Sequence, residues 1–263
     1  MNIALISRDI GEKEISKELR KQIDNLIVRL NNYNIKAFIV AKFEKEDGKI
    51  KFIKSENPAS SISMNLALDY IKTKKEFKPD AFFVWSKEVH FESEDVGKLA
   101  NEIKNNENLL VVGYKFKHAD DDANKVLNDN YENKDLIAYR VPWNTCAMWN
   151  YELFSKYAGK FDEITLGNYP FQNIPVIVNG TIRTTEHKGM EDGLAIAQAA
   201  SKSMDIKFKL IEGIRLNWDI RDGKTEDHFK KLARKEPVMR NFMVMRNYSV
   251  GDLENAEIVD GHN

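Results

Sequence analysis

Residues that staple or punctuate a fold are scarce in this chain of 263: one cysteine, six prolines (Pro 6) and thirteen glycines (Gly 13). A single thiol, Cys146, excludes an intrachain disulfide and any zinc site built from cysteines. An excess of one charge is missing too. Lys and Arg total 40 against 41 Asp and Glu, for a net charge of -1, so nothing in the balance marks a nucleic-acid or anionic-membrane partner. No apolar run approaches the roughly 20 residues that span a bilayer. The opening Met1–Ile6 has neither the length nor the basic flank of a signal peptide, and a cytoplasmic location is expected. No internal repeat or low-complexity linker divides the sequence. What is present, 42% hydrophobic and 31% charged residues, suits one sizeable core, and a single domain over 1–263 is predicted.

Hydrophobic periodicity gives an α/β class. Asn2–Ser7 is a short buried-strand pattern, and Ile15, Leu19, Ile23, Leu26, Ile27 and Leu30 recur at helical spacing within 13–32. Ile35–Ala41 reads as the next strand, and Asp47–Gly48 between apolar runs predicts a hairpin within 44–54. A helix with Ile62, Leu66, Tyr70 and Ile71 inward, the strand Ala81–Trp85, a helix carrying Val96, Leu99, Ala100 and Ile103, and the strand Leu109–Tyr114 continue the alternation. Beyond a polar stretch from His118 to Asp135, the pattern predicts a strand at Ile137–Val141 and a short helix at Tyr151–Tyr157. It then predicts strands at Val176–Val178 and Lys207–Leu216, and a helix at Thr225–Glu236. Strands alternating with helices imply a mostly parallel central sheet with helices on both faces. The Met-rich stretch 237–245 is expected to cover the core or line a groove.

Ligands of open α/β sheets bind beyond the carboxyl ends of the strands. That rule selects Ser7–Arg8, Lys42–Phe43, Ser86–Lys87–Glu88, Trp143–Asn144–Thr145 and the loop before Glu191. Together they offer cations for phosphate oxygens, carboxylates for a proton or a metal, and an aromatic face. Each also has a plain reading: Arg8 as a solvated cation, Trp143 as a core aromatic, and the first-turn pair Glu191–Asp192 as partners of the helix dipole. Glu88 and His90 lie two apart, so on an extended segment both face one way and suit an ion such as Mn²⁺; the plain alternative is a surface histidine.

The order of four segments resembles the family-2-like glycosyltransferases of the GT-A fold. They are Ser61–Ala67, then Pro79–Glu88 where the family carries Asp-x-Asp, then Pro142–Trp149 with Gly159–Glu163, and finally Gly189–Met190–Glu191–Asp192. The resemblance spans about 60–204 and implies a single GT-A-like domain: 1–115 as nucleotide-binding half, 136–236 as acceptor and catalytic half, 237–263 as a C-terminal extension. It implies an inverting transfer of sugar from a nucleotide-diphosphate sugar to a glycan or other hydroxyl acceptor. Asp192 would be the base and Glu191 would orient hydroxyls. Ser7, Arg8, Asn65, Ser86, Lys87 and Glu88 would contact the donor; Trp143, Asn144, Thr145 and His187 would contact sugar or acceptor. A divalent cation, Mn²⁺ or Mg²⁺, would sit on Glu88, with His90 and Asp219 as further ligands.

Departures from the family pattern set alternatives beside this expectation. Asp-x-Asp is replaced by Ser86-Lys87-Glu88, and where many relatives place a late histidine this chain has Asn217–Trp218–Asp219. A non-catalytic nucleotide- or glycan-binding pseudoenzyme of the same fold is the main rival. Nucleotidyl transfer fits less well, since only Gly11 follows Arg8–Asp9 where such enzymes carry a Gly-rich loop. A structural or interaction protein using the 237–245 surface completes the set.

Overall fold

A computed structural model describes residues 1–8, 17–56, 58, 62–86, 89, 91–118, 125, 128–129, 137–162, 174–178, 181–185, 190–216, 236–244 and 246–248. In chain order the main elements are β1 (Asn2–Arg8), α1 (Lys17–Arg29), β2 (Asn34–Ala41), β3 (Lys45–Asp47), β4 (Ile50–Lys54), α2 (Ile62–Lys72), β5 (Ala81–Trp85) and α3 (Ser93–Asn105). They continue with β6 (Leu109–His118), β7 (Cys146–Asn150), β8 (Ile174–Val178), β9 (Thr181–Thr185), α4 (Glu191–Ala200), β10 (Lys207–Leu216) and a helix α5 over 236–244. Short helical turns at Ile137–Arg140 and Tyr151–Leu153 precede and follow β7.

Eight strands form one sheet in the order β10-β6-β7-β5-β1-β2-β4-β3, and β8 and β9 form a separate antiparallel pair. Neighbours β1, β2, β4 and β5 run parallel, as do β6 and β10, while β7 is antiparallel to both β5 and β6. β1 and β5 read as continuous apolar runs because both faces of the sheet are covered. On one face Phe82 stacks on its cross-strand partner Trp149, 6.0 Å between centroids, and meets Phe154 and Phe161 edge-on. On the other face Phe83 stacks on Trp85, with Phe91 edge-on to both. Each aromatic buried this way contributes on the order of 1.5–3 kcal/mol. α1 offers the sheet an apolar stripe of Leu19, Ile23 and Leu26, continued by Leu30 just past its end.

The expected hairpin is present. Asp47 pairs with Ile50 around a two-residue turn whose first position, Gly48, has φ 60°, a conformation open to glycine at little cost. Three expectations are corrected. Ile137–Val141 is no strand: Ile137–Arg140 is a helical turn, and the apolar run alone does not separate the two states. The strand comes next, as β7, within a stretch whose periodicity gave no strand signal. In α2 the buried face carries Ser63, Met64, Asn65, Ala67, Leu68 and Ile71, leaving Leu66 37% exposed, because polar Ser63 and Asn65 take inward places. The expected helix at Thr225–Glu236 falls, but for its last residue, outside the described residues. α5 buries Val238, Met239, Phe242 and Met243, so that part of the Met-rich stretch covers the core. One continuous hydrophobic cluster runs from Ile3 to Met243.

Candidate functional site

Antiparallel β7 has a direct effect on the site. Its first residue, Cys146, pairs with the last residue of β5, Trp85, so the loop leading into β7 lies at the carboxyl edge of the parallel strands. The rule that placed Trp143–Thr145 there holds, although the strand they adjoin follows them rather than precedes them. The Ser86 N–H donates to the Thr145 carbonyl at 2.9 Å, joining the two segments past the end of the ladder. At Gly113 of β6 a Cβ would come within 2.8 Å of Pro142 Cβ and 3.2 Å of the Cys146 carbonyl oxygen, so only glycine lets this loop lie so close to the sheet.

The loop is held by its own side chains. Trp143 is 6% exposed, its indole N–H donates to the Ala138 carbonyl at 2.7 Å, and its ring packs on Phe116 and Tyr139 at 5.4 and 5.6 Å. The geometry gives this ring to the core, the plainer of its two readings, and leaves little face for a sugar. Burial, with Glu236 adding to it, pushes the Tyr139 phenol up to about 12. Glu236 is itself buried, accepting the Ala138 N–H at 2.6 Å and the Arg240 Nε–H at 2.7 Å. Burial also pushes the Cys146 thiol upward, so the one cysteine stays a neutral packing group.

The acidic pair opens α4 as expected, Glu191 half-buried and Asp192 5% exposed in its first turn. Asp192 Oδ2 accepts the backbone N–H of Asn144 at 2.9 Å, and its Oδ1 accepts the N–H of Gly193 at 2.8 Å. A contact across 48 residues therefore ties the helix start to the strand edge. Asn144, 6% exposed, accepts the Trp149 indole N–H on Oδ1 at 2.9 Å; its Nδ2 is buried with no hydrogen-bond partner among the described residues. Trp149 closes the Pro142–Trp149 segment of the resemblance but has no site role there, because its bond to Asn144 depends on how the loop packs into β7.

On the expected donor side, Ser7 ends 1% exposed with its hydroxyl donating to the Trp85 carbonyl at 3.0 Å, so it braces β1 against β5. Arg8, the last residue of β1, is partly exposed opposite Val40. Asn65, near the start of α2, is bonded to Phe161 in both directions: Nδ2 donates to its carbonyl and Oδ1 accepts its N–H, each at 2.9 Å. Next to Phe161, Asp162 accepts from the Arg246 guanidinium at 2.9 Å, which raises the pKa of that arginine further. The structure thus brings together Ser7, Ser86, Asn144, Thr145 and Asp192, with Glu191 beside them. Lys87, Glu88, His90, His187 and Asp219 lie outside the described residues. Among the described residues no three His, Cys, Asp or Glu side chains converge as a metal site requires, so the ion expected on Glu88 rests on the sequence. No described helix is long and apolar enough to cross a membrane.

A mostly parallel sheet, with β7 antiparallel beside β5 and β3 antiparallel at the far edge, has counterparts among solved structures. A mannosyltransferase from Pyrobaculum calidifontis, in complex with GDP-Man and Mn²⁺, aligns with a TM-score of 0.59 at 10% identity, over 96% of this chain and 68% of that one. The chain has the GT-A fold. Mannosyl-3-phosphoglycerate synthase from Rubrobacter xylanophilus shares this GT-A architecture with a TM-score of 0.54 at 11% identity, covering 95% of this chain and 76% of that one. Glucosyl-3-phosphoglycerate synthase from Mycobacterium tuberculosis, in complex with Mn²⁺, UDP-Glc and glycerol 3-phosphate, gives 0.52 at 9% identity over 94% and 81%. In sequence, no protein-family model and no curated protein matches this GT-A chain.

Proposed function

We propose that this chain is a glycosyltransferase that moves a sugar from a nucleotide-diphosphate sugar to an acceptor hydroxyl at the carboxyl edge of its sheet. The observation that carries this reading is the bond from the Asn144 N–H to Asp192 Oδ2, which fixes a carboxylate of the α4 start beside the β5–β7 edge. The GT-A fold it shares with three sugar transferases adds support, since ligands of such sheets bind at that edge.

In this proposal the reaction inverts the anomeric centre. Asp192 takes the proton of the acceptor hydroxyl as its oxygen attacks the anomeric carbon; the bond from that carbon to the diphosphate oxygen breaks, and the diphosphate leaves with the electron pair. Its new charge needs positive partners. Lys87 and Arg8 fit that need by position in the sequence, and a divalent ion on Glu88 would add to it. Glu191, the more exposed of the pair, orients hydroxyls. Asn144 and Thr145 form the wall beside Asp192, and residues 1–115 serve the nucleotide while 136–236 serve the acceptor. The GDP- and UDP-sugars named with the similar structures are natural first donors. Product formation from a panel of them, with Mn²⁺ or with chelator, tests the proposal. Turnover in the parent that collapses in Asp192→Asn supports it; a parent that binds donor without turnover favours the non-catalytic rival.

A further inference from the structure

A polar cleft opens on the α1–α3 side of the sheet, with a volume of about 210 Å³. At the roughly 30 Å³ that a water occupies in the liquid, it has room for about seven waters, enough for one small ring. α1 contributes Lys21, Gln22 and Asn25; the segment before α3 contributes Phe91 and Glu92; Arg29 bridges the two, its Nη1 donating to Glu92 Oε2 at 3.1 Å.

Two groups behind this cleft are unmatched. Among the described residues, Gln22 Oε1 is buried with no donor against it, and the indole Nε1 of Trp85, whose ring lies 5.9 Å from that of Phe91, is buried with no acceptor. Native proteins rarely leave such groups unpaired without a water or ligand to complete them. At the mouth, the Lys21 and Asn25 side chains make no hydrogen bond or ion pair among the described residues.

The charges argue against an anion. Arg29 is already matched by Glu92, and Glu94 and Asp95 add two carboxylates at the start of α3. Its own backbone N–H and the Ser93 hydroxyl hold the Glu94 carboxyl below its ordinary range. The α3 start is closed by its own side chains, Asp95 Oδ2 accepting the Glu92 N–H at 2.9 Å. A buried acceptor also needs a donor, which a sugar hydroxyl supplies and a fully deprotonated phosphate ester lacks. A hydroxyl donates to the amide or carboxylate oxygens and accepts from Lys21 or Asn25, while the half-buried Phe91 ring suits C–H faces. We propose that this cleft binds a small neutral polyol of monosaccharide size, at a site distinct from the edge where Asp192 lies. Its wall runs directly into that edge, because the Val89 N–H donates to the Ser86 carbonyl at 3.1 Å.

Saturation-transfer NMR on the full chain, with millimolar D-glucose and D-mannose as probes, tests the site. Transfer to the sugar ring protons is expected, lost in Asn25→Leu, weakened about tenfold or more in Gln22→Leu, and unchanged in Asp192→Asn. That last variant separates this site from the proposed catalytic edge, so either proposal can fail alone. Asn25 is exposed, so its variant keeps the fold and decides the matter even where Gln22→Leu does not. Three outcomes overturn the assignment: no transfer in the parent, transfer that survives Asn25→Leu, or displacement of the sugar by equimolar inorganic phosphate.

Discussion

Two buried asparagines, one on α2 and one in the loop before β7, do opposite things. Asn65 of α2, 4% exposed, uses its carboxamide as a strand would use a peptide group, giving one bond and taking one from Phe161. Asn144, 6% exposed, accepts from Trp149 and touches Asp192 through its backbone, yet keeps a buried amide donor with no partner among the described residues. Residue type and burial are the same. One holds two segments together, while the other leaves hydrogen-bonding capacity unused beside a carboxylate. Stability alone explains the first; the second makes sense where a further oxygen is to be held.

Four measurements would break or sharpen that contrast. The largest effect is expected from Asp192→Asn, which keeps shape but cannot take a proton. Turnover with a productive nucleotide-sugar should fall about 10²–10⁴-fold, the range of general-base catalysis, with the melting temperature little changed. Activity within tenfold of the parent would reduce the Asp192–Asn144 contact to a structural tie. Trp143→Ala comes next. A core indole truncated to alanine should cost about 3–5 kcal/mol in urea unfolding, and an unchanged midpoint would return the ring to the ligand side.

Asn65→Leu strands the N–H and the carbonyl of Phe161, at roughly 1–3 kcal/mol for each buried group, so a loss of about 3 kcal/mol is expected by the same method. Asn144→Leu should cost least, about 1 kcal/mol or below: Trp149 loses its acceptor, but an unpaired donor disappears with it. Equal losses in the two variants would erase the distinction between them.

The first half of the fold was legible in the sequence because parallel strands buried on both faces leave an apolar run no other place to go. Asn2–Arg8, Asn34–Ala41 and Ala81–Trp85 all lie within a residue of where their patterns put them. β7 was hidden: Cys146–Asn150 pairs with strands 60 and 30 or more positions earlier, and no local period announces it. For the candidate site, the sequence placed several residues at the carboxyl edge but did not show their contacts. Carboxyl-edge reasoning gathered Ser7, Ser86, Asn144, Thr145 and Asp192. The indole of Trp149 and the bracing of Asn65 on Phe161 depend on packing across 5 and 96 residues, which no motif encodes.

The antiparallel strand also sets an order of assembly. β5 emerges with one finished neighbour, β1, and an open side; β6, made next, has only β7 and β10 as partners, both still to come. Residues 109–118 therefore wait unpaired through the synthesis of about 28 more residues, at roughly 5–20 per second. Only when Cys146–Asn150 slides between them do the two blocks of parallel strand become one sheet, and the Asn144–Asp192 bond closes later still. A chain stopped before residue 146 would carry the open edge of β5 and both edges of β6 into solution, an invitation to pair with a neighbour.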